Sequence, residues 1–271
     1  MRIEAAHLRI LTNFLALQAR GPQDTPKVIP VADGFALITD AGARFVPNVD
    51  GRLRYCITPR VLDQLEERCR NGIASLSIEL CSASNPALIR LLAASGYHPA
   101  FPADVLVCPL MPTAHHVDAA GVTVQRPGPD ELPMWAHVLA HGFEIPETEL
   151  AARFLLACGL SPGAMPLLAR LRPGFAGAAL PACQDGIAWL FAFSTLAAAR
   201  QRGVQSALIA TTLEILPGSG CDFAAAEATS GTSSHRNFQK LGFNVLYQRW
   251  DFTKHFHPSP NAAIVTLPPS S

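Results

Sequence analysis

The chain has 271 residues, which suits one large domain or two modest ones. Lys+Arg and Asp+Glu both number 21, so the formal net charge is zero; this argues against a nucleic-acid partner held by bulk charge and favours association over a charged monomer's solubility. Hydrophobic content of 49% with 15% charged residues excludes a disordered chain.

Mean hydropathy is +0.22, but the longest apolar run, Ile187 to Ala199, is stopped by Arg200 well short of the roughly 20 residues of a spanning helix. Met1 to Arg20 carries Glu4, His7 and Arg9 within its apolar pattern and lacks a signal peptide's order of charge, apolar run and cleavage site. No membrane association is expected. Seven cysteines without a C-x-x-C pair read as reduced, buried thiols of a cytoplasmic protein, not as a disulfide frame or a zinc site.

In chain order, Met1 to Arg20 predicts a helix ending before Gly21. Gly34 to Val46 predicts two strands around Asp40-Ala41-Gly42. A helix over Thr58 to Gly72, a strand over Ala74 to Cys81, a helix over Asn85 to Ser95 and a strand over Val105 to Leu110 follow. Residues 113–120, after Pro112, read as a linker between an N-terminal half, 1–112, and a second half, 121–257; 258–271 is a Pro-rich loose tail. The second half begins with strand Val122 to Arg126 and helices over Asp130 to His141 and Glu147 to Cys158. Strands Met165 to Arg172, Phe175 to Ala182 and Ile187 to Thr195 follow, then a helix from Gly203 to Leu216. Strand Phe223 to Thr229, helix Ser234 to Leu241 and strand Val245 to Phe252 complete it.

One internal echo stands out. Strand Ser75 to Cys81, helix Pro86 to Ser95, Gly96-Tyr97 and strand Val105 to Leu110 match strand Phe223 to Thr229, helix Ser234 to Leu241, Gly242-Phe243 and strand Val245 to Phe252 in order and spacing. Two related α/β halves, or a chance β-α-β likeness, account for this.

The chemistry concentrates where strand Ile187 to Thr195 runs through Ala197 to Arg202 into a helix at Gly203. Such a junction aims free backbone N–H groups and the positive end of a helix dipole at one spot. Gly203 permits close approach of a bulky anion, and Arg200 and Arg202 add charge-assisted hydrogen bonds, which suits a pyrophosphate.

Arg200-x-x-Gly203 at this turn resembles the acyl-CoA pyrophosphate loop of the GNAT superfamily of N-acetyltransferases. Residues Ser233 to Phe243, with Leu241-Gly242-Phe243, and the strand Val245 to Phe252 look like that family's last helix, turn and final strand. The resemblance covers about half of the chain, Val122 to Phe252. It implies an α/β (α+β) fold with a mixed, mostly antiparallel twisted sheet flanked by helices, in two tandem GNAT-like domains. It further implies acetyl-CoA as acyl donor, with the pantetheine arm on the backbone of Phe193, Ser194 and Thr195 and the pyrophosphate on the amides of Arg200, Gln201, Arg202, Gly203, Val204, Gln205 and Ser206. The N-terminal half has no Arg-x-x-Gly loop, since Arg52 to Pro59 lacks the glycine, and reads as a degenerate domain that packs on the active half.

Two departures bear on mechanism. Gln205 stands where the family has Gly or Ala, and Phe238 where many members carry a tyrosine that protonates the leaving thiolate. A water, Asn237, Ser234 or a backbone donor would have to replace it, and Asn237 is counted with the CoA-binding residues. For the general base, Glu227 comes first as the charged residue of its strand, then His235, then Glu144 and His141. His137, His141 and Glu144 share a helix face, but no fourth ligand is evident and no metal is expected. The expected activity is transfer of acetyl from acetyl-CoA to a primary amine of a small or amino-acid-like acceptor, by a monomer or homodimer. A non-catalytic acyl-CoA-binding module is the competing expectation.

Overall fold

The computed structural model describes residues 2–16, 27–31, 34–39, 42–46, 57–69, 75–81, 86–100, 102–111, 117, 119–145 and 149–256. The linker expected at 113–120 falls mostly, and the tail at 258–271 wholly, outside the described residues. The described residues divide into two compact units, one of residues up to Ala103 together with 247–256, the other Asp104–Leu246. The second half expected at 121–257 includes Tyr247 to Phe256, whereas residues 247–256 group here with the first unit.

The first unit contains α1 (Arg2–Ala16), β1 (Lys27–Val31), β2 (Gly34–Thr39), β3 (Gly42–Val46), α2 (Pro59–Cys69), β4 (Ser75–Cys81), α3 (Pro86–Ala94) and β5 (His98–Pro99). Its sheet is closed by the later part of β12 (Asn244–His255) in the order β1-β2-β3-β4-β12, with β5 also pairing β12. The β3–β4 pair is parallel, while β1–β2, β2–β3 and β4–β12 are antiparallel. Leu62, Leu65, Leu76, Ile78, Leu80, Leu92, Tyr97 and Phe252 form its core.

Within this unit lies a buried ionic cluster that the sequence reading did not foresee. Arg249 on β12 places Nη2 2.8 Å from Glu4 Oε1 of α1 and Nε 3.2 Å from Glu79 Oε1 of β4. The Tyr247 hydroxyl also donates to Glu4. His7, one turn beyond Glu4, has a ligand-type atom within 4.8 Å of those of Glu4 and Glu79, but Arg249 already stands between the carboxylates as their cation. A buried ion pair gains little net stability, while breaking one strands a charge in a low dielectric.

The second unit runs through β6 (Ala103–Pro109), β7 (Val122–Gln125), α4 (Leu132–Gly142), α5 (Glu149–Gly159), β8 (Leu167–Leu171), β9 (Gly174–Gln184), β10 (Ile187–Thr195), α6 (Val204–Ile215), β11 (Phe223–Thr229) and α7 (Ser233–Lys240). The sheet order is β6-β11-β10-β9-β8-β7, antiparallel at β7–β8, β8–β9 and β9–β10 and parallel at β10–β11. Side chains alternate between faces along a strand. Ala188, Leu190, Phe193, Ala224, Ala226 and Ala228 accordingly pack with Leu208, Ile209 and Leu213 of α6 and Phe238 of α7. The opposite face carries α4, where the Trp135 indole donates to Ala179 O at 3.0 Å. Alanines line β9 and β11, and this lets helices lie close on both faces.

The sequence echo is also an echo in hydrogen bonds. At the end of α3, Tyr97 N–H donates to Leu92 O (3.0 Å) and Gly96 N–H to Ala93 O (3.1 Å). At the end of α7, Phe243 N–H donates to Phe238 O (3.1 Å) and Gly242 N–H to Gln239 O (3.1 Å). Both are Schellman caps with a left-handed glycine, φ +83 at Gly96 and +91 at Gly242. The aromatic that follows each glycine is buried.

Replacing Arg249 by Met removes the guanidinium that lies between the buried carboxylates of Glu4 and Glu79. Urea unfolding followed by circular dichroism should show a loss of about 3–5 kcal/mol, partly recovered by adding Glu4→Gln and Glu79→Gln.

Candidate functional site

Strands β10 and β11 start as a parallel pair, with Ile187 to Leu190 in register with Phe223 to Ala226, and the ladder stops there. On its other edge β10 shifts register against β9 between Leu190 and Phe193, then pairs Phe193, Ser194 and Thr195 with Ala179, Ala178 and Gly177. Such a bulge bends its strand. The end of β10 therefore stays with β9 and parts from β11. Backbone groups of Phe191 to Thr195 that face β11 lie beyond that ladder, as do those of Glu227 to Thr229, and an extended ligand can pair with them.

The helix that follows supplies the second element. Past Thr195, a 3-10 turn at Ala197–Ala199 leads to an extended Arg200. Gln201 and Gly203 are left-handed, with φ +61 and +76. At Gly203 this conformation turns the chain into α6, and a side chain there would be strained. Ala207 N–H makes the first helical bond, 2.9 Å to Gly203 O. The amides of Val204, Gln205 and Ser206 precede it, and no side chain caps the helix. They converge at the positive end of the dipole, an arrangement suited to phosphate oxygens. Arg202 is exposed at the same turn and forms no ion pair among the described residues.

Arg200 has a different placement. Its Nη2 lies 3.0 Å from Glu144 Oε1 and 3.5 Å from Gly142 O, so the guanidinium spans from the loop to the end of α4. Two residues expected in separate roles, a phosphate ligand and a base, thus form one partly exposed ion pair. Glu144 itself is left-handed, φ +56. His141 is exposed and its ring lies tilted against that of His137, ring centroids 4.2 Å apart. The α4 terminus also touches β10 directly. Ser194 Oγ donates to Val138 O at 3.3 Å, and a Cβ on Gly142 would fall 2.5 Å from Ser194 Cβ and Oγ.

Helix α7 closes the other side. Gln205 Nε2 donates to Ser234 Oγ at 2.9 Å, and Asn237 Nδ2 donates to Gln205 Oε1 at 2.8 Å. The side chain that departs from the family pattern is therefore spent on tying α6 to α7, and neither its donor nor its acceptor is turned to the loop. Phe238 is buried, edge-on to Phe193 (6.0 Å between centroids) and Phe243 (5.1 Å). A phenyl ring satisfies this apolar setting fully and offers no proton.

The base candidates separate. Glu227 is the first residue beyond the β10–β11 ladder, exposed, and alternates with Ala226 and Ala228 onto the face that carries α4. His235 points the other way. It is buried, with Nε2 3.0 Å from Asp104 Oδ2 of β6, close in charge contact but not aligned as a hydrogen bond. Its backbone N–H is capped by Thr232 Oγ1 at 3.2 Å. Sequence reasoning missed Asp104, which stands just ahead of the expected strand Val105 to Leu110. The one available signal was a carboxylate at the edge of an apolar run.

Comparison of the sequence with family models and with curated proteins finds no match. Solved structures do match: a GCN5-related N-acetyltransferase from Kribbella flavida superposes with TM-score 0.70 at 17% identity, over 96% of this chain and 96% of its own. The chain has the GNAT fold. A GCN5-related N-acetyltransferase from Sphaerobacter thermophilus gives TM-score 0.64 at 18% identity over 96% and 95% of the two chains. A tandem GNAT protein from the clavulanic acid biosynthesis pathway gives 0.60 at 16% over 93% and 96%. The mixed, mostly antiparallel sheet expected from the Arg200-x-x-Gly203 and Leu241-Gly242-Phe243 signals is the one observed. Among the described residues no helix is long and apolar enough to cross a membrane.

Gly142 permits the close passage of α4 over β10. Gly142→Ala should lower stability by about 1–3 kcal/mol in thermal unfolding, as overpacking does. Ser194→Gly, which removes the opposing Cβ, should recover part of that loss.

Proposed function

We propose that the protein is an acyl-CoA-dependent N-acyltransferase that moves acetyl from acetyl-CoA to a primary amine of a small or amino-acid-like acceptor. The observation that carries this reading is the end of the β10–β11 ladder at Leu190 and Ala226, beside the uncapped start of α6. A parted strand pair offers backbone groups to the amide-bearing pantetheine arm. The amides of Gly203 to Ser206, with Gln201 and Arg202 at the same turn, offer an anion seat for the pyrophosphate. The GNAT fold, shared with two GCN5-related N-acetyltransferases and a tandem GNAT protein, is consistent with this reading. The paired Schellman caps and the tandem GNAT neighbour support two related GNAT-like domains, of which the N-terminal one lacks the loop.

In this reading the amine nitrogen attacks the thioester carbonyl carbon, the C–S bond breaks, and the electron pair leaves on sulfur as the CoA thiolate. The proton lost from nitrogen passes to Glu227, which stands past the end of the ladder on the α4 face. Phe238 supplies no proton to sulfur. Ser234 Oγ already accepts from Gln205, which leaves its own O–H for donation, and Asn237 retains a second amide hydrogen. A CoA thiolate is a moderate base and needs only such hydrogen bonds to leave.

A second reading, a non-catalytic acyl-CoA-binding module, is favoured by the buried Phe238 and by the Gln205 bridge. The two are separated in sequence. Saturating acetyl-CoA should stabilise the protein in a thermal-shift titration, by about 2.7 kcal/mol at a hundred times Kd. No stabilisation would overturn both readings. Gly203→Asp should abolish the shift by setting a carboxylate against the phosphates, and Arg202→Ala should weaken binding ~10-fold. Thiol release with a panel of primary amines then distinguishes enzyme from module, since binding without turnover leaves only the module.

A further inference from the structure

The cysteines, expected as reduced, buried thiols without a disulfide frame, include one close pair. Cys183, at the end of β9, and Cys221, just ahead of β11, bring their sulfurs to 2.7 Å. That is inside the contact distance of two unbonded sulfurs and little beyond the roughly 2.05 Å of a disulfide. Cys81, Cys108 and Cys158 are each buried, and burial pushes the Cys158 thiol up to about 12.

The backbone holds the pair in place from both sides. Cys183 pairs with Ala188 in the β9–β10 ladder, and its N–H donates to Gly163 O at 2.9 Å. Between them the hairpin turns at Asp185-Gly186, with φ +52 and +74, the two-residue turn whose twist suits a hairpin. Asp222 N–H, next to Cys221, donates to Gly186 O of that turn at 2.8 Å. The sulfurs are therefore presented by three hydrogen-bonded segments and not by a loose loop. Cys183 is partly exposed and also lies 3.3 Å from Ser219 Oγ, while Cys221 is buried.

We infer that Cys183 and Cys221 form an oxidation-competent dithiol, a modification site that closes to an intramolecular disulfide under peroxide. The partly exposed Cys183 sulfur attacks a peroxide oxygen, the O–O bond breaks, and Cys183 becomes a sulfenic acid with release of water. The Cys221 sulfur then attacks the sulfenyl sulfur, the S–S bond forms, and a second water leaves. Two thiol hydrogens and two electrons pass to one hydrogen peroxide. Hydrogen bonding of the Cys183 thiol to the Cys221 sulfur, and then burial, hold the Cys183 thiol above its ordinary range, so the first step is slow compared with that of an activated cysteine. The resulting link would span β10, joining β9 to the entry of β11 at the end of the sheet where the parallel ladder begins.

The test uses the full chain, reduced and then incubated with excess hydrogen peroxide for hours, followed by alkylation and non-reducing peptide mapping. The expected result is a linked peptide pair containing Cys183 and Cys221, loss of two hydrogens in intact mass, and reversal by dithiothreitol. The oxidised protein should melt several degrees higher than the reduced one. Cys183→Ser and Cys221→Ser should each abolish the link. Both thiols remaining alkylatable, a sulfinic acid at Cys183 without a link, or a link to any other cysteine would each overturn the inference.

Discussion

Everything in the second unit depends on one interruption of hydrogen bonding. The parallel β10–β11 ladder ends after four residue pairs, and the register shift in β10 next to β9 sets where it ends. A continuous ladder would satisfy more backbone groups and leave no cleft. The bulge keeps Phe193 to Thr195 with β9, so the cost of parting falls on a few main-chain groups at the strand ends. The loop after Thr195, the left-handed Gly203 and the open end of α6 all take their positions from that divergence.

Around this opening the side chains settle different questions. Alternation along β11 sends Glu227 to the α4 face and Ala226 and Ala228 to the α6 face, so charge and core separate within one strand. Arg200 and Glu144 join the loop to the end of α4, while Gln205, Ser234 and Asn237 join α6 to α7. Two polar bridges thus brace the loop on either side, and the aromatic group of Phe193, Phe238 and Phe243 fills the space beneath α7.

How much of this was legible depended on how local the cause was. Strands β10 and β11 were read to the residue, because an unbroken apolar run bounded by Asp185-Gly186, Pro217-Gly218 and the Thr195 and Thr229 ends has few alternatives. The caps at Gly96 and Gly242 were legible for a similar reason, since a left-handed stop before a buried aromatic is written in adjacent residues. Long-range partners were not. Nothing near Arg249 announces Glu4 and Glu79, and nothing near Cys183 announces Cys221. Gln205 could be seen as a departure, but its direction, toward α7, is set by a helix 29 residues away. β1 and β5 were also missed: β1 is short and interrupted by Pro30, and β5 is a two-residue strand recognisable only by its partner.

The last strand has a consequence for how such a chain is made. From Tyr247 onward β12 belongs with residues synthesised well before it, and it brings the guanidinium that pairs with two of their carboxylates. A ribosome releases Glu4 and Glu79 long before Arg249. Until β12 emerges, the earlier segment has an open edge at β4 and lacks the Arg249 guanidinium that pairs with Glu4 and Glu79. Its completion is therefore deferred until β12 has been made, and the intervening Asp104–Leu246 unit, with its own sheet and core, is free to form first.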